Sequence, residues 1–132
     1  MKVYCTLCCK EKTIEKHQVN AIDRYVSDRI RMIYELSKKD KTEFRIFSGK
    51  FGLLKSGDSI PSYDFQLFSK DIEDKVKIVS NQLLRERINQ IVFFIRDPNL
   101  YPDWKPYIKL LKQSCSLSGT ELVVRMIGED FK

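Results

Sequence analysis

The chain predicts an α/β fold, a three-layer sandwich whose mainly parallel four-stranded sheet is built in the order β-α-β-α-β-α-β with helices on both faces. Three observations predict it. Short runs of strand formers alternate with amphipathic helical stripes from one end to the other. The run Ile91-Val92-Phe93-Phe94-Ile95 is continuously apolar, as a parallel strand covered on both faces must be. No repeat, low-complexity tract or linker interrupts the 132 residues, so one domain, 1–132, with a core of its own is expected.

The elements follow in order. Lys2–Cys8 is short and rich in strand formers and reads as the first strand. Val19, Ile22, Val26, Ile30 and Ile33 recur at spacings of three and four, which predicts one amphipathic helix from about His17 to Lys38. Thr42–Ser48 is the second strand, and Ser69 can cap a second helix with Ile72, Val76, Val79 and Leu83 on its buried stripe. Gln90–Arg96 is the third strand. Asp103 is placed to cap a third helix, with Pro106 in its tolerant first turn and Trp104, Ile108, Leu111 and Cys115 facing inward. Gly119 ends that helix, and Glu121–Ile127 is the fourth strand. In such a sheet ligands bind beyond the carboxyl ends of the strands. The segments Cys8–Lys12, Ser48–Asp64, Arg96–Tyr101 and Gly128–Lys132 are therefore expected at one edge.

Composition narrows the class. Hydrophobic residues make up 42% and charged residues 32%, the balance of a soluble globular protein. No apolar run approaches a membrane span and no signal-peptide pattern opens the chain, so a cytoplasmic protein with reduced cysteines and no membrane partner is expected. The net charge of +6 is lopsided: residues 1–57 hold 13 Lys/Arg against 7 Asp/Glu, and residues 58–132 hold 11 against 11. A basic half of this kind suits an anionic partner, a nucleotide or nucleic acid, or else is a solvated face.

Two stretches could carry chemistry. Residues 48–67 run from the second strand into three glycines, a proline and a Tyr-Asp pair. Ser48, Gly49, Lys50 and Gly52 could cradle a ligand, with Tyr63 stacking on it and Asp64 as acid or base. A long surface loop is the simpler alternative. Cys8-Cys9-Lys10-Glu11-Lys12 offers thiols and amines directly after the first strand. A lysine turns nucleophilic when desolvation or a neighbouring cation favours its neutral form, and a cysteine beside cations is pushed toward thiolate. The same residues could equally be a buried thiol and solvated or phosphate-binding amines. Arg96 after the third strand could contact phosphate. Cys5-x-x-Cys8 lies within a strand, where residues three apart point to opposite faces, and a second cysteine pair is missing, which argues against a metal site. No phosphate-loop, GxGxxG or zinc-deaminase pattern occurs, the lone His17 argues against a Ser-His-Asp triad, and no cofactor is implied.

On these residues the chain resembles a small bacterial and phage family of uncharacterised domains, with a C-x-K-x-K start (Cys8, Lys10, Lys12) and an SxKxGLL…IPxYD-like loop (Ser48, Lys50, Gly52, Leu53, Leu54, Ile60, Tyr63, Asp64). The helical stretch adds Ala21, Tyr25 and Ser27, and the resemblance spans about residues 3–67. The loop is also similar to that of the YaaA-type peroxide-stress proteins, which bind DNA. Cys8 and Lys12 match the Cys-x-x-x-Lys spacing of the archaeosine-synthase group, whose lysine acts on a modified nucleobase. The proline and tyrosine that follow that lysine are replaced here by Thr13 and Ile14, and Phe51 replaces the loop's usual tyrosine. The resemblance implies a nucleotide- or nucleobase-binding domain, or an enzyme acting on a base or N-glycosidic bond through Lys12, Asp64 or Cys8; Cys9 and Lys10 beside that motif, and Arg96 from its place after the third strand, are expected among the binding residues. The alternative is a non-catalytic nucleic-acid-binding or nucleotide-sequestering protein that works through its basic half.

Overall fold

A computed structural model describes residues 1–10, 12–13 and 18–128; Glu11, the expected helix start at His17 and residues 129–132 lie outside the described residues. Four parallel strands, β1 (Lys2–Leu7), β3 (Glu43–Ser48), β6 (Gln90–Ile95) and β7 (Glu121–Met126), form the sheet. A fifth, β4 (Gly52–Leu54), runs antiparallel on the β3 edge, giving the order β4-β3-β1-β6-β7. The four-strand expectation is corrected by this short return inside the glycine-rich loop. Two residues on each of β2 (Val19–Asn20) and β5 (Ser59–Ile60) make a separate antiparallel pair.

The strand period of two sorts the core. Val3, Cys5 and Leu7 of β1 and Ile91, Phe93 and Ile95 of β6 pack with Val79, Leu83, Leu110 and Leu111 from α3 (Ile72–Arg85) and α4 (Lys105–Ser118). Tyr4, Phe44, Ile46, Val92 and Phe94 belong to a second cluster with Ile30 and Ile33 of α2 (Asp28–Lys39). The expected helix 17–38 is broken. Its first part is a single turn, α1 (Ala21–Arg24), after which Tyr25 is extended. Ser27 then caps α2, its Oγ accepting from the Ile30 N–H at 3.2 Å. Val26, read from its spacing as part of the buried stripe, is 58% exposed.

The other two helices are entered through single 3₁₀ turns, Ser69–Asp71 and Pro102–Trp104. Asp71, rather than Ser69, takes an orphan amide there, its carboxylate accepting from the Phe68 N–H at 3.0 Å. Asp103 makes no capping bond, because Pro102 and Pro106 leave fewer amides to satisfy at that entry. Gly119 ends α4 in the left-handed conformation, as expected.

Part of the lopsided charge is internal. Arg24, Arg29 and Arg45 are all at least 96% buried. Arg45 is held by Glu86, with Nε and Nη2 donating to one carboxylate oxygen at 3.1 and 2.8 Å. The basic first half is therefore less of a surface feature than its count suggests. No helix among the described residues is long and apolar enough to cross a membrane.

Candidate functional site

In chain order the sheet grows from β1 to β3 on one side, then crosses to β6 and β7 on the other. The direction of winding reverses between β1 and β6, the place where open α/β sheets leave a crevice at the carboxyl ends. A cavity of about 570 Å³ lies there, within the range of sites that enclose small molecules. Its floor is Leu7, Cys8 and Cys9 after β1 and Arg96 after β6. Lys10 and Lys12 continue the β1 side, the start of α2 contributes Ser27, Asp28 and Arg29, and Asp64-Phe65-Gln66 forms a further wall. Tyr101, Asp103, Trp104 and Tyr107 complete it.

Of the sequence-derived candidates, Cys8, Cys9, Lys10, Lys12, Asp64 and Arg96 meet at this cavity. Ser48, Gly49, Lys50, Gly52 and Tyr63 do not line it. The expected cradle binds itself: Ser48 Oγ accepts from the Lys50 and Phe51 amides at 3.2 and 3.1 Å, closing the turn of a β3–β4 hairpin. Gly49 is needed for packing, since a Cβ there would stand 3.1 Å from both the Phe65 and Tyr107 rings. Tyr63 is likewise engaged. Its hydroxyl bonds to the hydroxyls of Tyr25 and Ser48, and its ring lies against Phe51 with centroids 5.0 Å apart. The Lys12 ammonium sits 4.6 Å from that ring centre and donates to the Lys10 carbonyl at 3.3 Å. Tyr63 thus steadies Lys12 by a cation–π contact. Of the fourth expected segment, Gly128 lines a smaller neighbouring cavity with Arg96 and Tyr101, and residues 129–132 lie outside the described residues.

Sequence reading missed Arg29. The residue is 4% exposed, and its Nη1 donates to Thr6 Oγ1 at 2.6 Å and to the Leu7 carbonyl at 2.8 Å. The guanidinium lies 4.9 Å from the Trp104 ring centre. Every neighbour so named is neutral, and no carboxylate among the described residues forms an ion pair with it. Burial lowers its pKa to about 10, which leaves it cationic at neutral pH. A buried cation without an opposite charge is costly unless something else supplies one. Thr6 is itself fixed, its hydroxyl donating to the Phe94 carbonyl at 2.9 Å, so the arginine is anchored to β1 and β6 together. A signal was present: position 29 stands four residues before Ile33, so an arginine there falls on the buried stripe of α2.

For Cys8 the environment favours the buried-thiol alternative over the thiolate. Burial raises its pKa and outweighs the Gly49 amide, Lys12 and Arg29, which all favour the anion. Burial raises Cys5 as well and pushes Cys115 up to about 12. In a Cys9→Ser variant, iodoacetamide at pH 7.5 should therefore label no thiol of the folded protein faster than free cysteine, with labelling accelerating above pH 9. Peptide mapping by mass spectrometry measures this, and rapid labelling of Cys8 at pH 7.5 would contradict the burial argument.

A model of the family described as "Family of unknown function (DUF6884)" matches residues 3–129, and the chain belongs to that family. No curated protein matches, and no solved structure does.

Proposed function

We propose that this member of the DUF6884 family binds a nucleotide at the crevice between β1 and β6, with the phosphate on Arg29 and the base among the aromatic rings. The observation that carries the reading is Arg29, a buried guanidinium with neutral partners at the wall of a 570 Å³ cavity. A guanidinium presents parallel N–H groups matched to phosphate geometry. Lys10, Lys12 and Arg96 add positive charge around the same space, and the twelve-residue helix α2 starts at its wall, which favours an anion further. Phe65, Tyr101, Trp104 and Tyr107 supply flat apolar surface for a base. The reading takes the domain as a three-layer sandwich, with α3 and α4 on one face of the sheet and α2 on the other.

In this reading Lys12, as amine, and Asp64, as general base, act on a bound base or its glycosidic bond, which is supported by both lining the cavity. Cys8, held as a thiol, is the weaker nucleophile.

Calorimetric titration with AMP, GMP, the two nucleosides and duplex DNA at 50 and 200 mM salt tests the reading. A monophosphate should bind with micromolar affinity and its nucleoside at least tenfold more weakly. Salt should cost the monophosphate only a few-fold, because two or three cations meet one phosphate group. Duplex binding that collapses with salt, together with no monophosphate binding, would favour the nucleic-acid alternative and sink this one.

A further inference from the structure

The 570 Å³ cavity does not end at Arg96. A second cavity of about 220 Å³ shares Arg96 and Tyr101 with it and is lined besides by Asp97, Leu100, Met126, Ile127 and Gly128. Its volume is below the range that encloses a whole small-molecule ligand, so it suits one part of a larger molecule. Its character is largely apolar and suits one face of a base: Leu100, Met126, Ile127 and the Tyr101 ring line it, with Asp97 and Arg96 its charged side chains. The Arg96 guanidinium lies 4.7 Å from the Tyr101 ring centre, which holds the cation at the boundary between the two spaces.

The sequence of environments is then aromatic cavity, arginine, apolar cavity. That order matches base, phosphate, base. We propose that the site takes a dinucleotide, with its 5′ phosphate on Arg29, its bridging phosphodiester at Arg96 and its second base in the smaller cavity. The proposal rests on the nucleotide reading of the larger cavity and extends it from a mononucleotide to a phosphodiester-linked pair. Met126 marks the smaller cavity well for an experiment. It belongs to that cavity alone of the two and is 64% exposed on the edge strand β7, so replacing it costs the core little.

Titration of the full chain with AMP, GMP, 5′-pApA and 5′-pGpG reads the outcome. At least one dinucleotide should bind ten times or more tighter than its monophosphate, since the second base and the phosphodiester are tethered to a group already bound. Met126→Glu, which replaces apolar surface beside the proposed second base by a carboxylate additional to Asp97, should bring the dinucleotide down to the affinity of the monophosphate. Equal binding of monophosphates and dinucleotides would overturn the dinucleotide site and leave the nucleotide reading standing. A dinucleotide advantage that survives Met126→Glu would place the second base elsewhere and overturn it too. Absence of binding by all four compounds would overturn both readings.

Discussion

Replacing Arg29 by methionine is expected to weaken AMP binding on the order of 100-fold while leaving the domain folded. Hydrogen bonds to charged groups contribute about 1.5–3 kcal/mol each, and losing a forked contact to phosphate should cost roughly 3 kcal/mol, about two decades in affinity. The stability side is a contest of two smaller effects. The variant gives up the bonds to Thr6 Oγ1 and the Leu7 carbonyl, each worth about 1.5 kcal/mol, the low end for a charged donor. It also removes a buried positive charge that forms no ion pair with a carboxylate among the described residues, and methionine fills the space beside Trp104 with an apolar chain. These oppose each other, so the melting temperature without ligand should move by only a few degrees. Ligand linkage supplies a second readout. AMP at 100 times its dissociation constant should stabilise the native chain by about 2.7 kcal/mol, and the same concentration should barely move the variant. Arg29→Lys keeps the charge without the fork and should fall between the two. Undiminished AMP binding by a folded Arg29→Met variant would make Arg29 a structural arginine and remove the observation on which the nucleotide reading stands.

The same residue shows what was legible in the sequence. The four parallel strands were each placed within a residue or two of their ends, because continuous apolar runs bounded by turn residues leave few alternatives. A cavity at the carboxyl ends of the strands was likewise to be expected from topology alone. What failed was the segment before α2. Val19, Ile22 and Val26 stand at helical spacing, yet they span a two-residue strand, one helical turn and an extended residue. Periodicity was read through the competing signal of Ser27 followed by Asp28, a capping side chain and an acidic first turn that mark a new start. Had that start been recognised, Arg29 would have fallen in the first turn of a helix aimed at the carboxyl ends of the strands. The hydroxyl cluster of Ser48, Tyr25 and Tyr63 was invisible for another reason: its members lie 15 and 38 residues apart, and only the folded chain brings them together.

Gly52→Ala should destabilise the domain by about 3 kcal/mol and lower the melting temperature by roughly 10 °C. Gly52 has φ near +76°, a conformation that costs about 1–2 kcal/mol for a residue with a Cβ. An added Cβ would also collide with the side-chain carbonyl of Gln82. That amide cannot simply swing away, because its oxygen accepts from the Leu53 N–H at 2.8 Å and its nitrogen donates to the Phe51 carbonyl at 3.1 Å. Displacing it forfeits two bonds that tie β4 to α3, each worth about 1 kcal/mol. Gly57 is the internal control: φ is not positive there and a Cβ would meet nothing within 4 Å, so Gly57→Ala should change stability by no more than about 0.5 kcal/mol. Chemical denaturation of the three proteins gives these values directly. The comparison also decides between two meanings of the glycine-rich stretch. If the loop is a self-capped hairpin, the surviving folded fraction of Gly52→Ala should bind AMP with native affinity, because Gly52 lies off the cavity. If the glycine instead shapes a ligand cradle, binding should fall while stability holds. Only the first pairing agrees with amides that Ser48 already occupies.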